Sequence, residues 1–513
     1  MRTPSLQYLY LQKPITMIVI VCILAVLPWI VLDNPAGRHL PPDAAFAETM
    51  LQSGDWILPH VQNGVATYDP PMANWLMVVT SLPAGHVTGL TSRLPSAIAF
   101  VLLSGFILLF FGRRVSRFQE AFVGTLFFIT AYEVHRAAMT AQIDMLFTLF
   151  IMLALFLMYS WEDQMELKGL PVIIPLLLSC AVLTKGPVGL ILPLIIFVVY
   201  LVVLRKYRAR TIWKAFFYML IPSLFLPMLW YVAAWKEGQS DFFGIVLAGH
   251  RGGFATAFEA EYSGFGYNIL TILYGFVPWS VFFIFSLCGF KYRHFSKQVK
   301  MGMSSVWERV LRMSKVRLFA LVSLVIIIVY YSIFKGGGAP SLIPAYPFIS
   351  LFVAKYILYL TENRTLVTRV FATFYAFVVS VASVIIVFTM TGVITLTAFL
   401  GQFFTSDSSM KIFRDLDEIL YQPRFLVVFL FAFILIALGA VIYQLIRRSN
   451  IKIMYATAAL TLTIFLFGDG AVMHSLHNVD ATIPPVVQVL NKPTEAITVA
   501  TLPKEAWTAE AFS

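Results

Sequence analysis

Charged side chains are scarce in this chain, and the scarcity limits what kind of protein it can be. Only 12% of its 513 residues are Asp, Glu, Lys or Arg, whereas soluble domains carry about 25%. Hydrophobic residues make up 59% of the chain, so a soluble fold would have too little polar surface to face water. A bilayer removes that constraint, because each spanning helix needs about 20 apolar residues. The composition therefore predicts an all-α polytopic membrane protein.

Cysteine is rare, and internal repetition is absent from the sequence. Cys22, Cys180 and Cys288 all lie within apolar runs, which favours small core residues over disulfides. The lack of a repeat counts against transporter folds that are built from inverted repeats. The first apolar run is followed by no small-residue cleavage motif, so it predicts a retained helix rather than a signal peptide.

Thirteen apolar runs could cross a membrane as helices. They are residues 14–32, 94–112, 119–137, 144–160, 171–184, 187–204, 213–235, 270–290, 318–334, 341–361, 370–390, 425–446 and 453–468. The further run 72–91 contains Asn74, Pro83 and Gly85, and it is predicted to lie along the interface instead. We therefore expect about 13 transmembrane helices, with amphipathic juxtamembrane helices in the first outer loop.

The net charge of +11 predicts membrane orientation rather than a nucleic-acid partner. With the N-terminus placed in the cytoplasm, 25 of the 37 Lys and Arg residues fall in or beside cytoplasmic loops, as the positive-inside rule requires. Counting 72–91 as a span would instead move every later basic cluster, including Arg113–Arg117, 205–214 and 291–317, out of the cytoplasm. The predicted outer, periplasmic face then carries two large loops, 33–93 and 236–269.

Hydropathy divides the chain into two parts. Residues 1–468 form the predicted transmembrane domain, with both outer loops. Residues 469–513 form an outer tail, in which Ile483-Pro484-Pro485 and later alternating Val and Ala residues predict the start of a small periplasmic element. The tail stops at Ser513 without an obvious ending, which favours a truncated element.

Three acidic residues on the predicted outer side have either a structural or a functional explanation. Asp43 begins an amphipathic segment and Asp144 begins a wholly apolar one, so each is either an N-cap or a functional carboxylate. Asp55, directly before Trp56, is interpreted as a turn residue anchored by an interfacial tryptophan.

Cations on the predicted outer side are candidates for anion binding. Lys185 lies between two apolar runs in Leu183-Thr184-Lys185-Gly186-Pro187, where either a phosphate partner or a helix-end role would explain a positive charge. Glycine-rich outer loops hold two more cations, Arg251 after His250 and Lys335 before three glycines.

The order of these motifs resembles the C-type glycosyltransferase superfamily, in the branch of the lipid A aminoarabinose transferase and the protein O-mannosyltransferases. The resemblance covers residues 14–361 and rests on Pro42-Asp43 through Glu48, Gly54-Asp55-Trp56, Tyr68-Asp69-Pro70-Pro71, Arg93-Leu94-Pro95-Ser96, Asp144, Leu183–Pro187, Pro278-Trp279 and Leu342–Pro347. Two departures stand out: Pro42 replaces one of the family's paired carboxylates, and the Lys common before the Pro-Pro pair is absent.

The resemblance implies a glycosyltransferase that takes a sugar from a polyprenyl-phosphate donor at the outer face of the bacterial inner membrane. The implied acceptor is a lipid A-like lipid, a glycan or a protein. The implied roles are catalysis by Asp43 and then Asp144, and donor-phosphate binding by Lys185, Arg251, Lys335 and Tyr346. Some relatives bind a divalent metal, for which Asp69 and His250 are the candidate ligands; no other cofactor is expected.

Two other functions stay open at this point. A lipid or solute transporter or flippase should place charges near the bilayer centre, whereas Glu133, His135 and Arg136 lie near one end of their run. A non-catalytic membrane scaffold is favoured only by the missing motif carboxylate.

Overall fold

The fold is helical throughout the described part of the chain. The computed structural model describes residues 13–31, 42–58, 70–237, 264–288, 308–334, 338–402, 407–421, 423 and 425–468. Its helices are α1 (Pro14–Val31), α2 (Pro42–Ser53), α3 (Met72–Ser81), α4 (Gly89–Gly112), α5 (Phe118–Ile129), α6 (Tyr132–Met139), α7 (Ile143–Met165), α8 (Ile173–Lys185), α9 (Val188–Leu204), α10 (Ala209–Ser223), α11 (Phe265–Gly275), α12 (Trp279–Cys288), α13 (Lys315–Ile333), the 3-10 turn Ala339–Ala345, α14 (Tyr346–Asn363), α15 (Thr365–Met390), α16 (Leu396–Leu400), α17 (Asp407–Tyr421), α18 (Phe425–Arg447) and α19 (Asn450–Phe467).

Helix α7 runs through the centre of the main bundle. Its 23 residues rise about 35 Å, at 1.5 Å per residue, which is enough to cross the hydrocarbon of a bilayer. Most side chains from Met145 to Trp161 are buried, packed against α4, α8 and α9. One continuous hydrophobic core joins these helices to α1, α5, α13 and α14.

A second, smaller core lies in the C-terminal helices. Helices α15, α18 and α19 pack on one another around Leu430, Ile434, Val441 and Leu460. The amphipathic helix α17 lies against α15 and contributes Leu420 to this core. The C-terminal group is therefore built around its own core beside the main bundle.

Every one of the thirteen predicted runs contains helix in the described residues. Eight helical stretches are long and apolar enough to cross a membrane on their own, one bent pair of helices passes the same test together, and four apolar helices are shorter. The total of thirteen crossings stays a prediction. Helix α3 has only ten residues, or about 15 Å of rise, and is too short to span alone.

Two of the predicted spans are interrupted, and their breaks meet. The run 119–137 divides into α5 and α6 at Thr130–Ala131, and the run 270–290 divides into α11 and α12, which are bent by 108°. The Trp279 indole donates to the Thr130 hydroxyl at 2.8 Å, and the Tyr132 N–H donates to the Val277 carbonyl at 3.3 Å. Each break thus satisfies polar groups of the other, as apolar surroundings require.

Ion pairs tie the basic loops together at one end of the bundle. They join Arg117 to Glu362, Lys206 to Glu162, Lys315 to Asp163, and Arg317 to Glu120. Residues 117, 206 and 315–317 come from three separate loops. The charge distribution predicts that these loops lie on one side of the membrane, and the ion pairs agree, since they place the loops at one end of the bundle. That this side faces the cytoplasm stays a prediction.

Candidate functional site

Polar side chains from several helices meet at the opposite end of the bundle, around the 339–345 turn. This turn contacts α6, α7, α11 and α13 and leads directly into α14. Asp144 lies in the first turn of α7, about 27 Å along that helix from Glu162, since 18 residues separate them. The meeting point therefore lies one membrane thickness away from the basic loops.

Lys185 and Asp144 form the centre of this polar group. The Lys185 ammonium donates to an Asp144 carboxylate oxygen and, at 2.8 Å, to the Ser341 hydroxyl. The two charged side chains are 18% and 13% exposed. Lys185 ends α8 and Asp144 opens α7, so each charge also complements the dipole of its own helix. The arrangement joins three elements that are far apart in the sequence.

The residues around Lys185 fold the chain sharply at this point. Gly186 has φ +76°, a conformation in which glycine carries no steric penalty, and it ends α8. A Cβ on Gly189 would lie 2.4 Å from the Ala181 backbone, so only glycine lets α9 pack this closely on α8. Part of the Lys-Gly-Pro-Val-Gly pattern is therefore explained by a tight helix hairpin, which fixes the position of the lysine.

A second ion pair lies on α6, next to the break in its predicted span. Arg136 donates to both carboxylate oxygens of Glu133, at 2.6 Å from Nη2 and 3.2 Å from Nε. The Glu133 side chain is 2% exposed, whereas that of Arg136 is 34% exposed. The guanidinium also lies within electrostatic range of Asp144, so α6 and α7 contribute charges to one group.

Two buried tyrosines border the same region. The hydroxyl groups of Tyr346 and Tyr331 have no hydrogen-bond partner among the described residues. A Cβ on Gly275 would meet both the Tyr346 hydroxyl and Glu133, so this glycine allows the two side chains to approach each other. Tyr331 lies within electrostatic range of Asp144. The site thus contains buried hydroxyl groups for which the described residues supply no hydrogen-bond partner.

The helix that carries Asp43 packs against this end of the bundle. In α2, Ala44, Ala47 and Met50 are buried against α3 and against Ala141, three residues before Asp144. The predicted amphipathic helix is therefore present and lies at the correct end. The Asp43 side chain lies outside the described part of the structure, so its distance from Asp144 stays open.

The segment after α2 lies close to the end of α8 that carries Lys185. Asp55 accepts hydrogen bonds from the backbone N–H groups of Ile57 and Leu58, both at 3.1 Å, as its interpretation as a turn residue predicts. The indoles of Trp75 and Trp230 donate to the carbonyls of Trp56 and Ile57. Leu58 is buried beside Leu183, two residues before Lys185. Residues 55–58 of the first predicted outer loop therefore lie near the end of α8 that carries Lys185.

Two of the predicted site residues, Asp144 and Lys185, are brought into contact, and a third, Tyr346, lies beside Glu133. Asp69, His250, Arg251 and Lys335 lie outside the described residues, so their predicted roles stay predictions. Within the described residues no group of three or more His, Cys, Asp or Glu side chains could hold a metal ion.

The sequence analysis missed the site roles of Glu133, Arg136, Ser341 and Tyr331. A signal was present for the first two, because an acid and an arginine three residues apart face each other on a helix. Ser341 and Tyr331 have no such local signal.

Comparison with known proteins bears on the family. Residues 68–231 match the family model described as dolichyl-phosphate-mannose-protein mannosyltransferase. An undecaprenyl phosphate-alpha-4-amino-4-deoxy-L-arabinose arabinosyl transferase 2 from Proteus mirabilis is 24% identical over 62% of this chain and 55% of its own length. A related arabinosyl transferase from Edwardsiella ictaluri is 26% identical over 47% of this chain and 45% of its own. The chain spans about half the length of these curated relatives.

The fold has a counterpart among solved structures. The crystal structure of ArnT from Cupriavidus metallidurans bound to undecaprenyl phosphate superposes with a TM-score of 0.62, over 89% of this chain and 78% of that one, at 18% identity. Its apo structure gives a TM-score of 0.61. Together, the family-model match, the arabinosyl-transferase relatives and the shared fold confirm the resemblance to the C-type glycosyltransferase superfamily, in its lipid A aminoarabinose transferase-like branch.

Proposed function

We propose that this protein is a membrane glycosyltransferase that moves a sugar from a polyprenyl-phosphate donor to a lipid acceptor. The observation that carries the proposal is the Asp144–Lys185–Ser341 group, which places a cation and a carboxylate side by side at the rim of an apolar bundle. A lipid-linked phosphate needs such a place, with a cation for its head and apolar surroundings for its chain. The names of the relatives favour the same donor class and a lipid acceptor.

The proposed reaction is a displacement at the sugar C1 atom. The acceptor oxygen forms a bond to C1 while the bond from C1 to the phosphate oxygen breaks. The acceptor proton passes to a carboxylate, for which Asp43 is the first candidate and Asp144 the second. The polyprenyl phosphate leaves with its additional negative charge, which Lys185 stabilises. An acceptor that is itself a phosphate needs no base.

The two candidate carboxylates differ in their surroundings. Asp144 is already paired with Lys185, so we assign it the role of orienting that lysine. Asp43 lies on α2, which packs beside Ala141 at the edge of the same region. This division of roles supports Asp43 as the base and Lys185, with Asp144, as the phosphate-binding unit.

The proposed location is the bacterial inner membrane, with the N-terminus in the cytoplasm and the site facing the periplasm. The support is the basic loops, whose contacts gather at the end opposite Asp144 and which the positive-inside rule assigns to the cytoplasm.

A transporter or flippase is the second candidate, and the distribution of charge along α7 disfavours it. The 17 residues between Asp144 and Glu162 contain no charged side chain. Transporters place ionisable groups near the membrane midplane, whereas this central helix has charges only at its ends.

The test is a transfer assay with purified protein in liposomes. The donor is a polyprenyl-phosphate sugar carrying an isotope label in the sugar, offered with lipid A-like lipids or with membrane protein as acceptors. We expect label in the lipid fraction and release of polyprenyl phosphate. Label only in protein would change the proposed acceptor. Movement of intact donor between leaflets without sugar transfer would overturn the proposal in favour of a flippase.

A further inference from the structure

We propose that Arg136, held by the buried Glu133, is a second cationic contact for the donor phosphate beside Lys185, an inference that rests on the proposed function. The two residues come from different helices, α6 and α8. Helix α6 touches the same 339–345 turn that supplies Ser341 to Lys185. Lys185 and the helix that carries Arg136 therefore both contact this turn.

The geometry of the ion pair leaves Arg136 able to bind an anion. Its Nε and Nη2 atoms donate to the two carboxylate oxygens of Glu133. A guanidinium carries five N–H donors, so Nη1 and one N–H of Nη2 are not engaged by that carboxylate. Glu133 is 2% exposed and Arg136 is 34% exposed. The buried acid thus holds the arginine in place, and the arginine is the more exposed member of the pair.

The charges around Arg136 connect it to the phosphate-binding unit. Helix α6, which carries Arg136, contacts helix α7, which carries Asp144, the partner of Lys185. An arginine matches phosphate through two parallel hydrogen bonds, while a lysine acts as a point charge, so the pair provides complementary contacts. Two carboxylates and two cations offset each other here, so an incoming phosphate meets no excess of negative charge.

Two buried tyrosine hydroxyls near this ion pair are donors that suit a phosphate ligand. The hydroxyl groups of Tyr346 and Tyr331 are buried and have no partner among the described residues. Tyr346 approaches Glu133 across Gly275, and Tyr331 lies in electrostatic range of Asp144. Buried hydroxyls are normally hydrogen-bonded. A ligand rich in acceptor oxygens, such as a phosphate, would accept hydrogen bonds from these hydroxyls and from both cations.

The test compares single and paired substitutions on α6. Arg136→Gln, Arg136→Lys, Glu133→Gln and the double variant Glu133→Gln with Arg136→Gln are purified, with Arg117→Gln as the control. Arg117 is also an arginine in an ion pair, with Glu362 at the opposite end of the bundle. Equilibrium binding of polyprenyl phosphate in detergent, the KM for the sugar donor and thermal stability are measured for each.

We expect Arg136→Gln to weaken polyprenyl phosphate binding by about tenfold or more, the usual effect of losing a charge-assisted hydrogen bond. The affinity of Arg136→Lys for polyprenyl phosphate should lie between those of Arg136→Gln and the wild type, because lysine keeps the charge and loses the planar guanidinium. The double variant should regain stability relative to Arg136→Gln, since no buried carboxylate is left alone, while its binding stays weak. Arg117→Gln should bind normally.

Two results would overturn the inference while leaving the proposed function intact. One is wild-type binding in both Arg136 variants, with transfer still observed. The other is a double variant that regains binding together with stability, since a purely structural ion pair predicts that outcome. Wild-type protein that neither binds polyprenyl phosphate nor transfers sugar would instead remove the proposed function, and this inference with it.

Discussion

Helix α7 carries an acid near each end, and the two acids differ in their surroundings. Glu162 is fully buried and accepts from the Tyr207 hydroxyl at 3.0 Å, from Lys206 at 3.3 Å and from the Tyr200 hydroxyl at 3.4 Å. The hydrogen bond with Tyr207 and the nearby Glu166 and Glu162 carboxylates raise the pKa of Lys206, so this lysine stays charged in neutral solution. All partners of Glu162 come from the chain itself.

The Asp144 end is paired only in part. Lys185 and Ser341 are engaged, but the hydroxyl groups of Tyr331 and Tyr346 and the amide oxygen of Gln142 are buried without a partner among the described residues. Unpaired buried polar atoms cost about 1–3 kcal/mol each. A fold tolerates them where a ligand completes the network. We therefore propose that the Glu162 end, called the closed end below, is structural and that the Asp144 end binds the ligand.

The first prediction concerns which side of the membrane each end faces. Ser116 lies in the exposed turn after α4, and Ser53 is exposed at the end of α2. In a background without native cysteines, Ser116→Cys should react only from the cytoplasm and Ser53→Cys only from outside. A membrane-impermeant maleimide on intact and on opened cells gives an all-or-none result. Labelling of both positions from the same side would contradict the assignment of the two ends of α7 to opposite faces of the membrane.

The next largest effect is expected from Asp43→Asn. Asparagine keeps the size and the N-capping ability of aspartate but loses its basicity, so a capping role predicts little change. Loss of a general base should lower transfer on the order of 10²–10⁴-fold while donor binding stays nearly intact. The matched control is Asp55→Asn, because an asparagine oxygen can still accept from the N–H groups of Ile57 and Leu58. Full activity in Asp43→Asn would make Asp144 the leading catalytic candidate.

Lys185→Ala should weaken donor binding by about 10- to 100-fold, the scale of a lost charge-assisted hydrogen bond. The substitution also leaves Asp144 without its cation, so the double variant with Asp144→Asn separates the two effects. Ser341→Ala removes only a neutral partner of Lys185 and should change binding by a few-fold. Wild-type donor affinity in Lys185→Ala would reduce this lysine to a helix-end residue that complements the dipole of α8.

The sequence predicts the helical segments better than it predicts their continuity. Apolar runs alone locate helix in all thirteen segments, because the bilayer demands long apolar helices. The breaks at Thr130–Ala131 and at 276–278 were not predictable, since each is stabilised by hydrogen bonds from the other, such as Trp279 to Thr130. Such partners are distant in the sequence, and hydropathy does not report them.

The candidate site could likewise be predicted only in part, because its residues are distant in the sequence. Asp144 and Lys185 each stand out locally, one opening an apolar helix and the other opposing the charge rule, yet nothing in the sequence pairs them across 41 positions. Ser341 and Tyr331 carry no local signal, because serine and tyrosine are ordinary in spanning helices. Their positions follow only from the packing of the 339–345 turn against α7 and of α13 against that turn.

The smallest effect on function is expected at the closed end, from Glu162→Gln. The substitution replaces a buried charged acceptor of Tyr207, Tyr200 and Lys206 by a neutral amide. Hydrogen bonds to charged groups contribute about 1.5–3 kcal/mol, so Tm should fall by several degrees, at about 2–4 °C per kcal/mol for larger domains. Transfer per folded molecule should stay within about twofold of the wild-type rate, because roughly 27 Å separates this end from Asp144.

Glu166→Gln is the matched control, since Glu166 pairs with the same lysine but is 59% exposed. Exposed pairs contribute about 0–1 kcal/mol. Normal stability with lost transfer in Glu162→Gln would contradict the comparison, since the closed end would then take part in the reaction.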